Sequence, residues 1–188
     1  MLTGSIIFYS IDTVSIIKHA FFLIEKVEIQ RMIIIICGSM SKLVIIYGTG
    51  SHNTERMAVA IEEGTRAEGI ETILKNVNDA NKDELKDADG VAVGSPNYNH
   101  AMMPTVKKFL NELADIELSG KVGLAFGSYG WSLEATNDIN KILTSYGMEM
   151  IQDLLVKRMP GDEELELCRR VGSLLACKIK SKEVICAA

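Results

Sequence analysis

Residues 43–54, Leu-Val-Ile-Ile-Tyr-Gly-Thr-Gly-Ser-His-Asn-Thr, constrain what this chain can fold into more than any other stretch. A continuous apolar run stops at Gly48, a cluster of hydroxyl, amide and glycine residues follows, and a helical pattern begins directly behind it. A short unbroken apolar run marks a strand buried on both faces, as in parallel sheets covered by helices. The turn after such a strand, with the helix N-terminus behind it, directs backbone N–H groups and the positive end of the helix dipole at an anion. Thr49, Gly50, Ser51, His52, Asn53 and Thr54 are therefore the candidate phosphate site. Thr49, Ser51 and Thr54 offer hydroxyl donors, Asn53 an amide, and the backbone the rest. No Lys or Arg lies between Leu43 and Glu55, so the loop holds its anion with neutral donors. That separates it from a Walker loop, which needs a Lys after its last glycine. A plain strand-to-helix turn capped by Asn53 needs one glycine and one cap residue; it leaves the spaced hydroxyls unexplained.

The same alternation continues along the chain. Met57, Ala60, Ile61 and Gly64 fall on one face of a helix that Gly69 ends. A second strand is predicted over Glu71–Val77, a short polar helix over Asn81–Ala88 and a third buried strand over Gly90–Gly94. Ser95-Pro96-Asn97-Tyr98-Asn99-His100 then has strong turn chemistry. Pro104 suits the first turn of a helix with Val106, Phe109, Leu110 and Leu113 on its core face. Lys121–Phe126 reads as the fourth strand, followed by a loop, Gly127-Ser128-Tyr129-Gly130-Trp131. A helix carrying Ala135, Ile139, Ile142, Leu143 and Tyr146 ends at Gly147, and a last strand lies within Met148–Val156. Gly161-Asp162 opens a final helix whose apolar face reads as Leu167, Cys168, Val171, Leu174 and Leu175. This pattern predicts an α/β fold, a doubly wound parallel five-stranded sheet of order 2-1-3-4-5 between two helix layers. The three unusual loops then share one end of the sheet, beside the switch point where such folds bind ligands.

Bulk properties narrow the function classes. The chain has 188 residues, a 47% apolar fraction and a net charge of -5, consistent with one globular domain and with neither a nucleic-acid nor a membrane partner. The 4 cysteines form no Cys-x-x-Cys pair or zinc spacing, and reduced thiols in a cytoplasmic protein are expected. With only 3 histidines, a His-rich metal centre is not expected. Residues 1–39 are Ile-rich, but Asp12, Lys18, Glu25, Lys26, Glu28 and Arg31 cut them into pieces far shorter than the ~20 apolar residues of a membrane span. They have no basic segment ahead of the first apolar run, so they make a poor signal peptide. Met40-Ser41-Lys42 looks like a natural start, so residues 1–39 read as an extension outside the fold, 40–181 as the domain and 182–188 as a tail.

With the loops in place, the chain resembles the flavodoxins. Tyr47-Gly48-Thr49-Gly50-Ser51-His52-Asn53-Thr54-Glu55 matches their FMN-phosphate loop, departing at His52, where ordinary flavodoxins usually carry glycine. That departure, with Gly94-Ser95-Pro96-Asn97-Tyr98-Asn99, Met103-Pro104-Thr105 and Ala125-Phe126-Gly127-Ser128-Tyr129-Gly130-Trp131, is more similar to the flavodoxin domains of A-type flavoproteins, the flavo-diiron oxygen and nitric oxide reductases. In those proteins a diiron domain precedes the flavodoxin domain; residues 1–39 are too short for it. The resemblance implies FMN as cofactor, redox proteins as partners and no diiron centre in this chain. It places Ser95, Pro96, Asn97 and Asn99 along the polar edge of the flavin ring and Tyr98 near the ring face, with Ser128, Tyr129, Gly130 and Trp131 closing the other side. An aromatic stacked on the ring contributes ~0.5–1.5 kcal/mol beyond area burial. Two roles are open to His52: donating to the phosphate, or capping the flavin edge as a solvated loop residue. Trp131 is open to ring contact or to a core role.

The implied function is an FMN electron carrier that tunes one- and two-electron steps with no general base or nucleophile. With no basic side chain beside the phosphate, the fully reduced flavin is expected to be a strong reductant. A backbone carbonyl of the second loop is expected to accept a hydrogen bond from ring N5. Two alternatives stay open: an FMN-dependent NAD(P)H oxidoreductase of quinone-reductase type, and the FMN subunit of a split flavo-diiron enzyme. A receiver domain of the same strand order is excluded, because the first strand ends in Gly48-Thr49 and the third in Gly94-Ser95 where that fold needs acidic residues.

Overall fold

Alternate residues of the first strand face opposite sides of the sheet, and both sides are apolar. β1 (Lys42–Tyr47) puts Val44 and Ile46 into one core and Leu43, Ile45 and Tyr47 into the other. The computed structural model describes residues 40–186; the extension read at residues 1–39 lies outside the described residues. β1 pairs in parallel with β2 (Glu71–Asn76) on one side and β3 (Gly90–Gly94) on the other. β3 pairs with β4 (Val122–Tyr129), and β4 with both β5 (Glu149–Met150) and β6 (Leu154–Lys157). The order 2-1-3-4-5 is as expected. The count differs: the fifth position is filled by two short strands, which makes the sheet 6-stranded. The gap holds Asp153, whose carboxylate accepts from Asn140 Nδ2 at 2.5 Å.

Helices α1 (Asn53–Ala67) and α4 (Asp162–Cys186) cover one face, and α2 (Pro104–Glu112) and α3 (Glu134–Ser145) the other. Met57, Ala60, Ile61 and Gly64 are buried as their spacing predicts. Each fully buried Leu, Ile or Val contributes about 1.5–3 kcal/mol over its exposed form. The polar segment before β3 forms a single 3₁₀ turn, Lys82–Leu85, in which Asn81 accepts from the Asp83 N–H at 3.0 Å and Leu85 is buried.

The buried face of α4 is Cys168, Gly172, Leu175, Ala176 and Ile179, while Leu167 and Leu174 are exposed. The helix is rotated from its apolar pattern because a glycine sits at the contact. A Cβ at Gly172 would collide with the carbonyl of Ile61, and one at Gly64 with that of Arg169, so α1 and α4 meet backbone to backbone. α4 continues through Cys186, past the boundary read at residue 181. No helix among the described residues is long and apolar enough to cross a membrane.

Candidate functional site

The first loop starts where Gly48 N–H donates to the Gly94 carbonyl at 2.9 Å, extending the β1–β3 ladder past the end of β1. α1 then begins at Asn53, one residue earlier than a cap role for that residue allows. His52 is the N-cap instead, at φ 62, and no side chain caps the helix. Its first-turn N–H groups therefore lack the usual side-chain acceptor and face the loop. The Thr49 hydroxyl is buried without a hydrogen-bond partner among the described residues. Thr54 is fully buried, and its hydroxyl lies 3.3 Å from that of Ser128, tying α1 to the end of β4. Glu55 accepts from the Tyr47 hydroxyl at 3.2 Å and lies 2.6 Å from His52 Nδ1. The His52 bond holds the Glu55 carboxyl below its ordinary value; burial, then Glu55, pushes the Tyr47 hydroxyl up. His52 is thus engaged with Glu55 while its ring stays in solvent, with 80% of its side chain exposed.

The second loop is held by the side chains of residues that the resemblance places along the ligand. Ser95 Oγ accepts from Met103 N–H and donates to the Pro96 carbonyl, each at 2.9 Å. Asn97 uses both ends of its amide inside the protein. Its Nδ2 donates to the Ser132 carbonyl at 2.7 Å and its Oδ1 accepts from the Ala135 N–H at 3.2 Å, which secures the start of α3. Tyr98 and Ala101 exchange backbone hydrogen bonds of 2.8 and 3.1 Å across a two-residue turn. Its central residues, Asn99 and His100, have φ 52 and 61, a primed-turn conformation that Asn accepts readily. Tyr98 is exposed.

The third loop is shorter than expected. Gly127, Ser128 and Tyr129 are the end of β4, because β6 pairs with them (Phe126↔Leu154 through Tyr129↔Lys157). A glycine is required at position 127, where a Cβ would collide with the Ser95 carbonyl. The second loop joins β4 here through Ser95 N–H to Phe126 O (3.1 Å) and Asn97 N–H to Ser128 O (2.8 Å). Trp131 is 92% exposed, so it has no core role.

These strand ends enclose a cavity of about 450 Å³, within the range of small-molecule sites. Its lining takes Gly50, Ser51 and Asn53 from the first loop, Pro96, Asn97 and Tyr98 from the second, and Ser128, Tyr129 and Gly130 from the third. Thr49, His52, Thr54, Ser95, Asn99 and Trp131, each next in sequence to a lining residue, do not line it themselves. One lining residue was missed from sequence. Arg158, just after β6, joins the wall, so a basic residue does line the cavity although none stands in the loop. A larger cavity of about 800 Å³ opens at the other end of the sheet. Three of its lysines are engaged: Lys86 with Asp83, Lys121 with the carbonyls of Lys86 and Ala88, and Lys182 with Glu149.

A family model described as Flavodoxin matches residues 45–172. The chain belongs to the flavodoxin family. Among curated proteins, this flavodoxin is 37% identical over 145 residues to a nitric oxide reductase of Moorella thermoacetica, covering 74% of this chain and 36% of that protein. It is 33% identical over 147 residues to the rubredoxin-oxygen oxidoreductase of Megalodesulfovibrio gigas, covering 76% of this chain and 37% of that one. The chain thus spans little more than a third of these relatives. Among solved structures, a flavodoxin from the domain Archaea superposes with a TM-score of 0.72 at 36% identity, covering 74% of this chain and 99% of that one. Flavodoxin-like architecture and relatives among the flavo-diiron enzymes are therefore as the sequence predicts.

Proposed function

We propose that this chain binds FMN in the cavity at the strand ends and carries electrons between redox protein partners. The observation that carries the reading is the Thr49 hydroxyl, buried and without a partner among the described residues, just ahead of a helix N-terminus that no side chain caps. A buried polar group without a partner costs ~1–3 kcal/mol, and an anionic oxygen above it would remove that cost. Thr49, Gly50, Ser51, Asn53 and Thr54 would hold the phosphate, the backbone supplying most donors. His52 would lie at the rim, paired with Glu55. Ser95, Pro96, Asn97, Tyr98 and Asn99 would contribute mainly through their backbone, since the side chains of Ser95 and Asn97 are engaged within the protein. Ser128, Tyr129 and Gly130 would form the opposite wall, with Trp131 outside it.

When bound, FMN supplies one- and two-electron chemistry that the side chains lack. The chain's part is to seat the phosphate, orient the ring and limit its contact with water. Tyr98, Trp131 and Met159 are large exposed apolar side chains at or beside the strand ends; they fit a surface on which a redox protein settles briefly. A second reading is favoured by the length comparison. The same FMN module would serve as one part of an oxygen or nitric oxide reductase whose remaining parts lie elsewhere. Cytoplasmic location belongs to either reading.

The test is a visible spectrum and an FMN titration of the purified full chain. Tight one-to-one binding, with the flavin bleached by NADH or NADPH only when a reductase is added, supports a carrier. Bleaching by the nicotinamide alone would favour an NAD(P)H oxidoreductase, and a colourless protein that leaves FMN fluorescence unchanged would end the flavin reading.

A further inference from the structure

Among the described residues, Arg158 is the one charged residue in the cavity wall. It follows directly on β6 and has φ 63, a left-handed conformation that a long side chain adopts at a cost. Its N–H donates to the Tyr129 carbonyl at 2.7 Å, which fixes its backbone beside the third loop. Among the described residues its guanidinium makes no salt bridge, although the chain carries more acidic than basic residues. The topology decides which end of the cavity it serves. β6 lies against β4, and β4 is tied through Ser128 to Thr54 in the first turn of α1. β6 then leads into α4, which packs backbone to backbone on α1. Arg158 therefore belongs to the face that carries the helix N-terminus, and it shares its cavity with Gly50, Ser51 and Asn53.

Resting on the FMN reading above, we infer that Arg158 is the cationic ligand of this site. It binds the terminal phosphate from the far strand and sets a preference for phosphorylated over unphosphorylated flavin that the neutral loop would otherwise carry alone. A guanidinium matches a phosphate with paired N–H donors in one plane. Among the described residues the wall holds no carboxylate to compete for it inside the cavity.

The experiment compares FMN with riboflavin on the flavin-free full chain, at low and high NaCl, by quenching of flavin fluorescence. Arg158→Gln is expected to weaken FMN roughly tenfold to a hundredfold while leaving riboflavin within about twofold. The variant is also expected to flatten the salt dependence of FMN binding. Arg158→Gly controls for folding: it is expected to lose the same FMN affinity while its melting temperature holds or rises, because glycine suits the left-handed position. Equal losses for FMN and riboflavin, or an unchanged FMN affinity, would overturn the assignment. A wild type that binds neither flavin is a different result, which removes the FMN reading and this inference with it.

Discussion

At Thr49 burial and hydrogen bonding disagree: the hydroxyl has lost water without gaining a partner among the described residues. Val has nearly the same shape and no hydroxyl, so Thr49→Val separates the two effects. The flavin-free variant should be at least as stable as wild type, recovering part of the ~1–3 kcal/mol that an unpaired buried group costs. Its FMN affinity should fall by about tenfold or more, since a hydrogen bond to a charged group contributes ~1.5–3 kcal/mol. Paired urea melts and FMN titrations check this, and an undiminished affinity would detach Thr49 from the phosphate. Thr54 is a poorer probe, being fully buried and linked to Ser128; a charge placed there would disturb folding before it met a ligand. The residue scale is also where sequence reading fell short. The resemblance gave Asn97 as a ring ligand, but its amide is already bonded to Ser132 and Ala135. Arg158 was invisible because it joins the cavity through strand pairing, far along the chain from the loop it faces.

Elements were legible wherever one periodicity governed a stretch. β3 is buried throughout, β1 is buried from Leu43 on, and α1 shows its apolar stripe, so composition and spacing agree with the observed elements. β4 was read short because Gly-Ser-Tyr resembles a turn; the pairing partner that extends it, Leu154–Lys157, is a tertiary fact. The face of α4 was misread for a related reason. Hydrophobic patterning gives glycine no weight, yet Gly172 sits at the closest contact. Gly172→Ala should therefore push α4 away from Ile61 and cost about 1–3 kcal/mol, as overpacking does. Ala is otherwise the better helix former, so a surface position would gain stability from the same change. Urea unfolding decides the sign, and a stabilised variant would show that the two backbones are not in contact.

The whole molecule separates its tasks by end and by face. The strands and the two helix layers build the core, and every candidate ligand residue stands at or beside the carboxyl ends of the strands. Its stability should depend on pH through Asp153. Burial raises this carboxyl above its ordinary value, against a smaller opposing effect from Asn140. The folded chain thus holds the proton more tightly than the unfolded one. That contribution is fully present below the unfolded carboxylate value, near about 4, and is lost as pH rises through the higher folded value. Asp153→Asn keeps an acceptor for Asn140 and removes the ionisation. The melting temperature of the variant minus that of wild type should grow more positive from acid to neutral pH. A difference that stays flat across that range would show that Asp153 ionises as freely in the folded chain as in the unfolded one.

The gap that holds Asp153 has a consequence for how copies of this protein behave in a crowd. An uninterrupted outer strand offers a row of open N–H and C=O groups on which a neighbour can lay its own backbone, the first step towards fibres. Here that rim is cut into Glu149–Met150 and Leu154–Lys157 with a carboxylate between them. Neither piece is long enough to seed such growth along this edge of the sheet.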